Sequence, residues 1–273
     1  MLNHKQLILA VLVLLTSSTA FSQLGFSHEI GIIAGPVAFK SDFGERLDYE
    51  TNAGNSGIGI GLVHYINFAY QADCNCYTTD NYFNDHFKLR TEISWNKTKL
   101  DHLGEFVDPS QTSADADRLR AHSGEANNFD IGMQIEYFPL SIRSFQAYGY
   151  KLAPFVSLGA HYVSFNPKVS TSYLGEGDPG NITNLNNFYN PWYVNDPTNL
   201  PVPIDISSGS TWSIVSSIGV RYKLNMDADL MLDLRGQYYF SDWVDGLNHK
   251  LEDYNRYNDW LVWLNVGYIY YLD

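Results

Sequence analysis

The sequence predicts an all-β fold: an eight-stranded antiparallel transmembrane up-and-down β-barrel with long extracellular loops, preceded by a signal peptide. Three observations predict it. Apolar and polar residues alternate with a period of two along eight separate runs. Those runs are about 11–14 residues long, against ~5–6 for a usual soluble strand and ~9–11 for a tilted strand crossing a bilayer. Long and short connections largely take turns between them, as they do when one end of a barrel faces outward.

The chain begins "MLNHKQLILAVLVLLTSSTAFS". Lys5, the apolar run Leu7 to Leu15, and the small residues Ala20 and Ser22 read as a secretory signal peptide over residues 1–22. The apolar run is too short to span a bilayer, so cleavage after Ser22 is expected, leaving a barrel domain over 23–273. Later in the chain no apolar run approaches the ~18 residues of a spanning helix.

The eight runs follow in order: residues 27–39, 56–68, 86–97, 128–138, 152–165, 211–223, 229–240 and 260–272. In the first, Ile30, Ile32 and Ala34 oppose Glu29, Gly31, Ile33 and Gly35. In the third, "HFKLRTEISWNK", Phe87, Leu89, Thr91, Ile93 and Trp95 oppose Lys88, Arg90, Glu92, Ser94 and Asn96. The long connections are 40–55, 98–127, 166–210 and 241–259; the short ones are 139–151 and 224–228. The 69–84 connection is longer than this alternation predicts. No helical period competes with the strands.

Composition agrees. Only 17% of residues are charged, against ~25% for a typical soluble protein, and 15% are aromatic, with 20 Tyr. The net charge of -13 argues against nucleic acid, which requires a basic footprint. Oriented by the loops, Trp95, Trp212, Trp243 and Trp260 fall at the outer rim. Tyr65, Phe68, Phe87, Tyr137, Phe138, Tyr150, Tyr222, Tyr268 and Tyr270 fall at the inner rim. Two aromatic girdles are what two membrane interfaces select.

The face from Phe87 to Trp95 is therefore assigned to lipid. Lys88, Arg90 and Glu92 point inward beside Glu29, Asp130, Glu136, Arg221, Asp233 and Arg235. An eight-stranded barrel is just wide enough for side chains to fill it, and buried charges survive when paired. A lumen ion-pair network is expected, with the inward Gly residues of the first two runs leaving room for it. A wide porin is not.

"EIGIIAGPVAFKSDFGER", "GIGIGLVHYINF", "FKLRTEISW" and "NFDIGMQIEYFPLSIR" resemble an uncharacterised family of small outer-membrane β-barrel proteins of Bacteroidota. The stretch "EIGIIAGPVAF" with a following Asp is also similar to the first strand of the barrel associated with the type 9 secretion ring complex. The resemblance implies an outer-membrane location and supplies no catalytic residues. "GIGIGL" lacks the glycine spacing and the following helix of a dinucleotide-binding turn.

Other residues carry chemistry less directly. Ser157 and His161 share a face, but an inward one, so a hydrogen-bonded lumen pair is the plainer reading than a lipid-directed nucleophile and base. His64 faces outward near the inner rim, as a polar rim residue. Glu92 and Glu136 could form an acid pair, yet Lys88 and Arg90 beside them favour ion pairing. The acidic stretch Asp108 to Asp117 lacks calcium-loop spacing and reads as a solvated loop. Cys74 and Cys76 stand one residue apart. Export permits a disulfide between them, in a strained ring; free thiols and a metal site with two further ligands remain open. In the largest loop, Tyr189, Trp192 and Tyr193 are candidate binding anchors.

The expected protein is a non-enzymatic, monomeric barrel of the outer membrane, with no cofactor. It would act as a structural or docking component of the envelope, linked to secretion machinery by resemblance. A lipid-modifying enzyme and a narrow small-solute pore are the alternatives.

Overall fold

A computed structural model describes residues 26–44, 48–68, 82–174, 187, 204–248 and 257–272. The strands are β1 (Ser27–Lys40), β2 (Ser56–Asn67), β3 (Phe87–Asp101), β4 (His122–Tyr137), β5 (Leu152–Phe165), β6 (Lys168–Thr171), β7 (Gly209–Lys223), β8 (Ala228–Tyr239) and β9 (Trp260–Tyr271). Each pairs antiparallel with its neighbours, and β1 pairs with β9 as well as β2. The sheet thus closes on itself as an eight-stranded barrel. The segment β6 is β5 resumed: Phe165 pairs with Asn128 and Lys168 with Glu125, in one unbroken register along β4. Pro167 interrupts the strand because it has no N–H to give the ladder.

The two faces are inverted relative to a soluble protein. Leu62, Leu158 and Ile218, at 61%, 62% and 63% exposure, belong to a continuous apolar belt on the outside. Arg90, Arg221 and Arg235 are fully buried inside. A water-soluble protein does not leave an apolar surface of this extent uncovered. A bilayer covers it, and a closed barrel is the one sheet that leaves no unpaired edge in hydrocarbon. This is the architecture of the outer membrane.

Aromatics bound the belt: Trp95, Phe129, Tyr162, Trp212 and Trp260 at the outer rim, Phe87, Tyr137, Tyr222, Tyr268 and Tyr270 at the inner. Four expected girdle residues are elsewhere. Tyr65 and Phe138 point inward and are buried, while Tyr150 and Trp243 pack against the internal core. Tyr65 has the parity of Val63 on β2, the lumen face, so it belongs inside by the same alternation that places its neighbours outside.

The structure also corrects the loops. The ladder of β3 and β4 continues past the girdle to the pair Asp101 and Ser123, inside the 98–127 connection. Lys97, Lys99 and Asp101 hold the outward positions there, while Leu100 and Ala126 are buried inside, so the outward apolar period stops although the hydrogen bonding does not. Short helices lie in the connections. One spans Ala114–Ala121, capped by Ser113, and begins inside the acidic stretch Asp108 to Asp117 expected to be loop. Asp115 pairs with Arg118 and Asp117 with Arg120 along it.

Above the girdle, Phe43 packs its ring 5.2 Å from His102 and 5.0 Å from His122. His102 Nδ1 accepts from the Gly44 N–H at 2.9 Å, and its Nε2 lies 2.9 Å from His122 Nδ1. Burial first, and then the His102 ring, holds His122 well below the ordinary 6.5. An unfolded crown would take the proton first. The crown's stability is therefore present at neutral pH and lost as pH falls from about 6.5 toward the lowered folded value.

Limited proteolysis within 98–127 should accelerate severalfold between about pH 7.5 and about pH 5, and His122→Phe should flatten that dependence. Leu234→Arg, on the lipid face between the girdles, should cost about 2–4 kcal/mol in urea unfolding from lipid vesicles; an unchanged midpoint would mean that the belt does not meet hydrocarbon.

Candidate functional site

The lumen is built by strand parity. On β3, the residues alternating with Leu89, Thr91 and Ile93 are Lys88, Arg90 and Glu92, and all three are buried. The same rule turns Glu29 on β1, Asp130 and Glu136 on β4, Arg221 on β7, and Asp233 and Arg235 on β8 inward. Side chains from opposite walls then meet on the axis.

Arg235 grips Glu92 with two parallel bonds of 2.6 Å each. Arg90 bonds Glu92 at 2.7 Å and Asp233 at 2.9 Å, and reaches Glu136 at 3.5 Å. Arg221 joins Glu29 at 2.6 Å and Glu136 at 3.2 Å, and Lys88 completes the chain on Glu29. Asp130 is held differently. It accepts from Gln237 at 2.6 Å and Asn96 at 3.3 Å, with His161 Nδ1 at 3.8 Å. Bidentate arginine–carboxylate pairs are the strongest ion pairs available to a dry interior.

Aromatic rings line the same axis. The Arg221 guanidinium lies 4.1 Å from the Tyr65 centroid and Arg235 lies 4.8 Å from Trp263. Missing side chains make the room: a Cβ on Gly59 would sit 2.5 Å from the Trp263 ring, and one on Gly132 2.1 Å from His161. At the inner mouth a one-turn helix, Ile142–Gln146, sets Ile142 and Phe145 with Phe138 and Phe155 in a buried apolar plug. Lys223 sits 3.9 Å over Tyr271 and 3.4 Å from Asp229.

Asp229 and Lys223 were not among the sequence-predicted network. They share parity with Asp233 and Arg221, so the alternation was sufficient to find them. Gln134 was missed as well. It accepts from Ser157 at 2.8 Å and lies 3.2 Å from His161 Nε2. It holds both residues in the lumen, where they touch no lipid. Glu92 and Glu136 both bond Arg90 and form no shared-proton pair. Tyr189, Trp192 and Tyr193, together with Cys74 and Cys76, lie outside the described residues. Among the described residues no cluster of three or more His, Cys, Asp or Glu could hold a metal ion.

Glu92 carries the heaviest load, since Arg90 and Arg235 both depend on it. Glu92→Gln should cost about 3–5 kcal/mol in urea unfolding, because it strands buried cations. Glu92→Gln combined with Arg235→Gln should recover part of that loss. Additive losses in the double variant would mean that the two side chains are not coupled.

No family model matches the chain, and no curated protein does. Solved structures do resemble it. Neisserial surface protein A is 11% identical, with 89% of this chain and 96% of that one covered and a TM-score of 0.43. Ail, the attachment invasion locus protein of Yersinia pestis, solved with the heparin analogue sucrose octasulfate, is 11% identical, with 90% and 99% covered and a TM-score of 0.40. A major outer membrane protein from Thermus thermophilus is 15% identical, with 90% and 99% covered and a TM-score of 0.42.

Proposed function

We infer that the protein is a non-enzymatic structural or docking component of the envelope, with a sealed barrel as its anchor. The observation that carries this reading is the charged network across the lumen. It crosses from β3 to β8 and from β1 to β7 with every member buried. Opening a water path through it would separate at least one bidentate pair, at a cost of several kcal/mol. An anchor that conducts nothing is useful for what it holds outside. The crown of β3 and β4 and the connections at 69–84 and 166–210 are the parts assigned to meet a partner. An envelope or secretion assembly is the partner class that the sequence resemblance suggests.

Planar-bilayer recording separates this reading from a pore. The intact protein should give no steady conductance, while Arg235→Ala with Glu92→Ala should open one. Steady conductance through the intact protein would overturn the reading. Deleting residues 175–203, which spares β6 and β7, should abolish co-purification of an envelope partner while the barrel keeps its shift between unboiled and boiled gels.

A further inference from the structure

The outward residues just above the outer girdle differ around the barrel. At the outer ends of β2, β7, β8 and β9 they are Ser56, Ser210, Phe240 and Asn258, none of them charged. β1 ends on one cation, Lys40. On β3, β4 and β6, three lysines gather around one carboxylate. Glu125 of β4 stands directly opposite Lys99 of β3 and Lys168 of β6. Lys97 Nζ lies 2.8 Å from Glu125 Oε2, and Lys168 Nζ donates to Glu125 Oε1 at 3.1 Å. Exposed ion pairs add little stability. Folding alone therefore gives no reason to gather three cations here, in a chain whose net charge is -13.

The carboxylate positions two of the ammonium groups. They repel one another, and with one on each oxygen of Glu125 they are held side by side. Each ammonium has three N–H donors and spends one on Glu125, which leaves the others for a second anion. Uncharged hydrogen-bonding groups flank the cations. Below, Asn127 pairs with Lys97 and accepts from the Trp95 indole N–H at 2.7 Å. Above, Ser123 Oγ lies 3.1 Å from Ser170 Oγ, and Ser123 pairs with Asp101 at the patch's upper edge. Trp95 marks the interface, so the lysines stand at headgroup level. From Asn127 to Ser123 the patch is roughly 14 Å tall at ~3.4 Å per residue, and across its two strand spacings about 10 Å wide. Arg118 and Arg120 on the crown helix are engaged by Asp115 and Asp117 and do not add to it.

We propose that this patch binds the phosphorylated saccharide headgroup of an outer-leaflet glycolipid. One phosphate bridges Lys97 and Lys168, with Lys99 as the third cation. Sugar hydroxyls bond Asn127, Ser123 and Ser170, and the acyl chains run down past Trp95 and Phe129 into the belt. Charge selects an anion. Position selects a lipid, because the cations stand on the lipid-facing side of the strands, immediately above the girdle. Size selects the saccharide, since a glycerophosphate headgroup on the lysines falls short of the Ser123–Ser170 pair. Asp101 repels the phosphate from the upper edge and so keeps it near Trp95. The site is independent of the sealed lumen and of any protein partner at the loops.

The test is titration of the intact barrel in mild detergent, read by native mass spectrometry. The probes are diphosphoryl lipid A, its dephosphorylated form, and phosphatidylglycerol. The diphosphoryl form should bind one to one, and at least tenfold more tightly than either of the others. Lys97→Gln with Lys168→Gln should weaken it about 25-fold, at about fivefold for each lysine. Lys40→Gln, on another strand, should leave it unchanged. All three positions are on the surface, and the shift between unboiled and boiled gels shows that each variant is folded. Equal binding of the dephosphorylated form would overturn the proposal, since the acyl chains alone would then be held. Equal binding of phosphatidylglycerol would do so too, as would an equal loss in Lys40→Gln, which would mean that diffuse charge and not this patch attracts the lipid.

Discussion

A sheet immersed in hydrocarbon cannot leave an edge unpaired, because nothing around it accepts or donates a hydrogen bond. The pairing of β1 with β9 satisfies that constraint, and the rest of the molecule follows from it. Once the sheet is a cylinder, each strand has one face toward lipid and one toward the axis. The alternation in the sequence is then a sorting rule. Ile30, Leu62 and Ile93 are expelled to the outside; Glu29, Arg90 and Glu92 are left with one another.

The interior so created is too narrow for bulk water and too polar for an oily core. Charges fill it, in pairs that span the lumen. Arginine suits this role better than lysine, since its planar fork can hold two carboxylates at once. Arg90 bridges Glu92 and Asp233, and Arg221 bridges Glu29 and Glu136. The glycines of β2 belong to the same arrangement. Trp263 has room inside the lumen because Gly59, one strand away across β1, has no side chain to meet its ring.

Parity made most of this legible in advance. The eight runs, the closure and the inward charges follow from period-two alternation and from run length. What failed lay where alternation carries no contrast. Above the girdle the outward positions of β3 are Lys97, Lys99 and Asp101, so the ladder there left no apolar period on the outside, although Leu100 is buried within. Tyr65 and Phe138 were misplaced because an aromatic near a rim satisfies two rules at once, and the girdle rule was preferred to parity. The bond from the Thr91 hydroxyl to the His64 carbonyl oxygen was hidden for another reason. Adjacent strands set it, and no single strand's pattern reports which residues of two strands stand side by side.

The ion pairs join points far apart in the chain. Arg221 and Glu29 are separated by 192 residues, and Arg235 and Glu92 by 143. Neither pair can form in a partly assembled sheet, which would present bare charges to lipid. Half-inserted states are thereby penalised twice, through open strand edges and through unmatched ions. Insertion should therefore be strongly cooperative, with the terminal strands meeting late and the newly made chain needing an escort until they do.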